Sequence, residues 1–153
     1  MNIAFFMQPK AQTAFLYNDQ TVRQGLEKMR FHGYSAIPVL DREGHYVGTV
    51  SEGDFLWKIV SDQDGEPHTI HTDDLESHNM SELNFHPEKN PAIKITSSMD
   101  ELVERALNQN FIPVVDDRDM FIGIVTRRTV IRYFYETNNL PRDKSDMLLK
   151  LSH

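Results

Sequence analysis

Two four-residue stretches combine residue types that can hold a ligand where a helix begins: Ser51-Glu52-Gly53-Asp54 and Thr126-Arg127-Arg128-Thr129. In the first, a hydroxyl and a carboxylate stand three residues apart. That spacing makes a capping box, with Ser51 on the helix start and Asp54 reaching back to a backbone N–H. The same carboxylate could instead accept protons from the two hydroxyls of a ribose, and Ser51 could serve in both arrangements. In the second stretch the charge is the clue. Arg127 and Arg128 fall in the first turn of an expected helix, where the macrodipole disfavours a cation by ~0.3–1 kcal/mol. A bound anion reverses that sign, because helix N-termini and guanidinium groups both suit phosphate. The competing reading pairs one arginine with an acidic surface group and leaves the other solvated.

Both stretches end the same longer pattern. Ala36–Leu56 reads AIPVLDREGHYVGTVSEGDFL, and Phe111–Ile131, FIPVVDDRDMFIGIVTRRTVI, lies beneath it without a gap, 75 positions on. That shift takes Pro38 to Pro113, Asp41 to Asp116, Gly48 to Gly123 and Ser51 to Thr126. A duplication decides the fold before any single element does, and this period is too long for a solenoid. Each copy is expected to run strand, helix, strand, strand, helix, an α+β unit. In the first copy these are a lead-in helix Asn2–Met7, strand Thr13–Tyr17 and a helix from Asn18 or Asp19 burying Val22, Leu26 and Met29. Gly33 caps that helix, strands Ala36–Leu40 and Tyr46–Val50 follow, and the helix Glu52 to about Val60 closes the copy. The second copy has a bent Met80–Phe85, strand Ala92–Thr96 and helix Ser98 to about Asn108 with Leu102, Val103, Ala106 and Leu107 inward. Strands Phe111–Val115 and Phe121–Val125 and a helix from Arg127 to about Thr137 complete it. Pro38 and Pro113 lie inside strand patterns and mark a strand start or an edge, because proline gives no N–H to a ladder. Gly48 and Gly123 mark a bulge or a close backbone approach.

The implied organisation is repeat 1 over 1–60, a linker over 61–78, repeat 2 over 79–137 and a tail over 138–153. The tail carries one apolar cluster, Met147 to Leu151. Hydrophobic content of 39% and charged content of 25% are those of a globular domain. No apolar run approaches ~18 residues, so no membrane span is expected, and the N-terminus does not resemble a signal peptide. Zero cysteines exclude disulfides, Fe–S clusters and thiol catalysis and fit the cytoplasm. A net charge of −7 argues against nucleic-acid binding. His68, His71, His78 and His86 could be read as a zinc cluster, but without cysteine and in a polar stretch they read as surface histidines. No P-loop, GxSxG, HExxH or dinucleotide fingerprint is present, and no catalytic triad suggests itself. No active site is read here.

Three features coincide: the Ile-Pro-Val strand, the Gly-x-Val-Ser/Thr turn into a helix, and tandem duplication. Together they resemble the cystathionine-β-synthase (CBS) domain family, and the chain looks like one CBS pair, a Bateman module. Gly33 to Asp54 carries the most specific part; in the second copy Thr129 stands where the pattern has aspartate. The resemblance implies two tandem β-α-β-β-α repeats about a pseudo-two-fold axis. It implies a non-catalytic regulator with no required cofactor, binding an adenine nucleotide (AMP, ATP or cyclic di-AMP) between repeats and signalling to an unidentified partner protein. The stand-alone length and Thr126-Arg127-Arg128 further resemble small bacterial CBS-pair proteins that bind cyclic di-AMP. The implied nucleotide contacts are Thr13, Ala14, Tyr34, Ala36, Ile37, Pro38, Ser51 and Asp54 around the first copy. Around the second they are Lys94, Asn110, Phe111, Ile112, Pro113, Thr126, Arg127, Arg128 and Thr129, with Lys10 a further phosphate candidate. A homodimer through Phe55, Leu56, Ile59, Val130, Ile131 and Phe134 is also implied. The alternative is a nucleotide-free module for protein–protein contact.

Overall fold

The computed structural model describes residues 2–60 and 75–139. The segment 61–74 and the Met147–Leu151 cluster, with any helical turn near Asp74, lie outside the described residues. The chain divides into two compact units, Ala14–Asn90 and a second built from residues 2–13 and 91–139. Residues 2–13 therefore pack with the second repeat, and the segment leading into the second repeat packs with the first.

The Ala14–Asn90 unit holds β2 (Leu16–Tyr17), α1 (Val22–His32), β3 (Ala36–Leu40), β4 (Tyr46–Ser51) and α2 (Glu52–Val60). Strand β2 runs parallel to β3 and β4 antiparallel to it, in the order β2-β3-β4. The other unit begins with β1 (Gln8–Pro9) and continues with β5 (Ile93–Lys94), α3 (Met99–Asn108), β6 (Phe111–Val115), β7 (Phe121–Thr126) and α4 (Arg127–Asn139). Its sheet order is β1-β7-β6-β5. Each unit has its own apolar core. Leu16, Val22, Ile37, Val50, Phe55 and Met80 centre the first, and Ile3, Ile93, Leu102, Ile112 and Val125 the second.

Several elements are shorter or begin later than residue pattern suggests. The first strand of each copy covers only Leu16–Tyr17 and Ile93–Lys94, and the lead-in is a single 3-10 turn, Ile3–Phe5. Helix α1 starts at Val22, because Thr21 accepts from Gln24 N and Gln24 returns the bond, completing a capping box. Asn18–Gln20 is instead a turn, held by Gln20 N to the Tyr17 carbonyl. Leu107, expected inward, is 75% exposed; the α3 stripe that faces the core is Leu102 and Ala106, one helical turn apart.

Pro38 and Pro113 are neither at a strand start nor in an edge strand. Each is third of five residues in the middle strand of a β2-β3-β4 or β5-β6-β7 trio. The missing N–H costs nothing, because β2 and β5 reach only as far as Val39 and Val114. The shared aspartate closes the hairpin: His45 N donates to Asp41 Oδ1 at 2.9 Å, and Met120 N to Asp116 Oδ1 at 2.9 Å. The bond from Met120 N, helped by that from Arg118, holds the Asp116 carboxyl below its usual range. Both hairpins also share a register shift, after Val39 and after Val114.

The two glycines mark a crossing. Gly48 has φ +146°, and a Cβ built on it would overlap the Phe85 Cβ and carbonyl oxygen. Gly123 meets the Gln8 carbonyl oxygen and Met7 in the same way. Each repeat's lead-in segment thus runs over the hairpin of the other, closely enough that a side chain would not fit. Thr49 N donates to the Phe85 carbonyl at 2.8 Å, and β1 pairs antiparallel with β7.

Candidate functional site

At the end of β4 the register sets Ser51 opposite Ala36, and Glu52 N donates to the Ser35 carbonyl at 3.0 Å. Helix α2 therefore opens with its cap fixed against β3. The capping box is complete. Ser51 N donates to Asp54 Oδ2 at 2.8 Å, Ser51 Oγ donates to the same oxygen at 3.0 Å, and Asp54 N donates to Ser51 Oγ at 3.3 Å. Only one carboxylate oxygen is spent on this. The other, Oδ1, lies 3.4 Å from His86 Nε2, whose remaining ring nitrogen is 3.6 Å from Glu88 Oε1.

His86 belongs to the lead-in segment crossing Gly48, and its backbone is left-handed at φ +46°. The segment is pinned on both sides of it. Phe85 accepts from Thr49, and Tyr46 Oη donates to the Asn90 carbonyl at 2.6 Å while bonding Thr49 Oγ1 at 2.8 Å. Burial pushes the Tyr46 phenol up to about 12, outweighing its hydrogen bond to Thr49. Around Asp54 and His86 opens a cavity of about 640 Å³, lined also by Ser51, Gly53, Leu56, Trp57, Val60 and Lys89. That volume lies in the range of small-molecule sites.

The corresponding end of α4 differs in charge. Its first turn holds no carboxylate, whereas the first turn of α2 holds Glu52 and Asp54. Thr126 and Thr129 replace serine and aspartate: their hydroxyls lie 2.7 Å apart, and Thr129 N donates to Thr126 Oγ1 at 3.1 Å. Arg127 bends back into its own unit. Its Nε donates to the Ala106 carbonyl at 2.6 Å, its Nη1 to Asn110 Oδ1 at 2.9 Å, and its backbone N to the Asn110 carbonyl. Arg128 is exposed, and among the described residues its side chain makes no ion pair or hydrogen bond. Neither arginine pairs with an acidic group among the described residues.

Of the remaining expected contacts, Ala36 lies opposite Ser51 and Phe111 opposite Thr126, each at its own hairpin. Ile37, Pro38, Ile112 and Pro113 are buried strand residues, and Ala36 and Phe111 are half-buried at the starts of β3 and β6. Thr13 is buried with its hydroxyl donating to the Pro9 carbonyl at 2.8 Å, followed by half-buried Ala14. Tyr34 stacks on His32 at 5.2 Å and lines a groove with α1 and α2 side chains, away from Asp54. Lys94 is paired with Asp119 at 2.7 Å, and Asn110 is occupied in holding Arg127. Phe55 and Val130, expected on an interface, lie in the cores, while Leu56 and Ile131 are each 60% exposed.

His86, Lys89 and Trp57 escape a reading by motif. A signal for His86 exists nonetheless. Pro9 and Pro87 punctuate equivalent lead-in segments, so His86 occupies the place of Gln8, beside the residue that crosses the hairpin glycine. Of the four histidines weighed as a zinc cluster, His68 and His71 lie outside the described residues. His78 sits 3.2 Å from Glu82.

The family described as "CBS domain" matches this chain twice, over residues 7–61 and 81–136. An uncharacterised protein of Methanopyrus kandleri is 28% identical over 105 residues, 69% of this chain and 49% of that protein. The chain thus spans about half the length of the curated relative it matches. Among solved structures, the CbpB protein of Listeria monocytogenes in complex with c-di-AMP superposes with a TM-score of 0.74 at 25% identity, covering 91% of this chain and 98% of that one. A CBS domain protein from Streptococcus pneumoniae TIGR4 shares the fold, with a TM-score of 0.76 at 17% identity and coverage of 90% and 88%.

Proposed function

The chain belongs to the CBS domain family, and from that premise we propose that it is a non-catalytic regulatory module binding an adenine nucleotide, with cyclic di-AMP the first ligand to try. One observation carries this reading: the same local arrangement is built twice. In each unit a hairpin ends in a hydroxyl-capped helix, and the lead-in segment of the other repeat crosses the hairpin glycine beside it. In the Ala14–Asn90 unit Asp54 Oδ1 can take ribose hydroxyls once His86 yields it; in the other unit Arg128, without an ion pair or side-chain hydrogen bond among the described residues, can meet a phosphate. The c-di-AMP complex of the Listeria CbpB protein supports cyclic di-AMP as the ligand. Binding regulates only through differential affinity for two states of the protein, which a partner protein then reads.

The test is thermal unfolding with AMP, ADP, ATP, GTP, cyclic di-AMP and cyclic di-GMP. A ligand at ~100 times its Kd adds about 2.7 kcal/mol, an easily read rise in midpoint. Adenine ligands raise it and guanine ligands do not; a panel without effect sinks the reading.

A second reading has its own observation. Leu56, Leu107, Ile131 and Tyr135 expose apolar surface on the outer helices, which favours a protein-contact role and a homodimer. Sedimentation of the purified chain distinguishes monomer from dimer.

A further inference from the structure

His86 stands between two carboxylates, one for each ring nitrogen: Nε2 is 3.4 Å from Asp54 Oδ1, and Nδ1 is 3.6 Å from Glu88 Oε1. Both separations exceed the ~2.7–3.2 Å of an N–H···O hydrogen bond and fall within reach of an ion pair. A neutral imidazole has one N–H and serves one carboxylate at most, whereas the imidazolium donates from both nitrogens and attracts both acids. The hold of His86 on Asp54 is therefore a property of the charged ring. The ring is also confined. Phe85 on one side is tied to Thr49 and Asn90 on the other to Tyr46, the His86 backbone is left-handed, and its side chain is only 25% exposed.

The other charged groups around the ring are Lys89 on its own segment, Glu52 in the first turn of α2, and Lys58, which pairs with Glu82 at 3.5 Å. Glu82 also holds His78 at 3.2 Å, so that second imidazole answers to a different carboxylate. The Tyr46 phenol, pushed up to about 12 by burial, is uncharged at neutral pH. Carboxylates and ammonium groups ordinarily titrate outside the range of about pH 5 to 8, and histidine inside it. In the other unit Gln8 takes the place of His86, with its amide donating to the Gln12 carbonyl, and Thr129 takes the place of Asp54. A proton-dependent contact is thus built at one helix start and not at the other. Resting on the reading of Asp54 as a ribose ligand, we propose that His86 is a proton-controlled gate on that oxygen. The imidazolium holds Asp54 Oδ1 against the ribose hydroxyls, and loss of its proton releases the oxygen to the ligand. The competitor is present at low pH and lost as pH rises, so affinity rises with pH, and by reciprocity ligand binding expels a proton.

The full chain and its His86→Asn variant are titrated calorimetrically with AMP, and in parallel with cyclic di-AMP, at about pH 5.5, 6.5 and 7.5, across the histidine range. Asparagine tolerates a left-handed backbone and carries no charge. The AMP phosphate itself titrates near pH ~6, but equally for both proteins, so the ratio of their affinities isolates His86. His86→Asn is expected to bind AMP about threefold to fivefold more tightly than the unaltered chain at the acid end, the worth of one part-exposed ion pair, and equally at the alkaline end. A ratio that does not change with pH overturns the gate and leaves the nucleotide reading standing. Binding of cyclic di-AMP without any binding of AMP does the same, because the ribose contact at Asp54 is then absent. If neither ligand binds either protein at any pH, the gate and the nucleotide reading both fail. Should His86→Asn not fold, His86→Gln, which carries the other unit's residue, replaces it with the same expected ratio and the same refutation.

Discussion

Replacing Gly48 by alanine probes the crossing that places His86 over Asp54. Two costs add. The residue has φ +146°, a region nearly closed to side chains, where strain is ~1–3 kcal/mol. The new methyl also overlaps Phe85, and moving Phe85 breaks the 2.8 Å bond from the buried Thr49 N–H, worth ~1 kcal/mol net. Gly48→Ala is therefore expected to lose about 2–4 kcal/mol, a large share of the ~5–15 kcal/mol that holds a typical domain. Gly123→Ala is the internal control. It meets the Gln8 carbonyl and Met7 just as closely, but has no positive φ, so it should lose about 1–3 kcal/mol less, the strain alone. Urea unfolding of the two variants, with unchanged m-values, measures both. Equal losses within ~0.5 kcal/mol would refute the strain argument, and a Gly48→Ala loss under ~1 kcal/mol would refute the crossing itself.

Arg127 and Arg128 should separate in their effects. Arg127→Ala strips the bonds to Ala106 and Asn110 and lowers stability by ~1–2 kcal/mol, whereas Arg128→Ala leaves the urea midpoint unchanged and weakens cyclic di-AMP binding about tenfold by calorimetry. Tyr46→Phe frees the Asn90 carbonyl and should cost ~1–2 kcal/mol in urea unfolding, with Thr49 left to find water. The folded Tyr46 phenol is raised from 10 to about 12, so stability is intact below pH 10 and falls as pH climbs through 12. A spectroscopic titration of tyrosine ionisation, compared with the Tyr46→Phe variant, reads that loss directly. At the acid end the sign reverses. Asp116, held low by Met120 N–H, contributes stability above its unfolded pKa that is lost as pH falls, and Asp116→Ala should flatten this part of an acid-unfolding curve.

Local signals carried much of this architecture. The 75-residue duplication shows as one pattern written twice, and the cap at Ser51 depends on neighbours within a few positions, so the sequence alone reveals both. The α+β repeats follow from the same signals. Elements set by distant partners were less legible. Pro38 reads as an edge residue because the early end of β2 beside it is a tertiary fact. His86 reads as a surface histidine because nothing within the repeat says that the second lead-in lies on the first hairpin. Arg127 reads as a phosphate ligand from the helix dipole; its partners at Ala106 and Asn110 depend on how α3 packs beside α4. The capping box at Asp54 illustrates both levels at once, since one oxygen serves the helix and the other faces the cavity.

A calorimetric titration of the purified chain with cyclic di-AMP, AMP and ATP, with cyclic di-GMP and GTP as controls, decides most directly whether the protein is an adenine-nucleotide module. Adenine ligands are expected to bind saturably, guanine ligands not at all, and Arg128→Ala to lose affinity for cyclic di-AMP. Binding that ignores the base, or no heat with any adenine ligand, would contradict that reading.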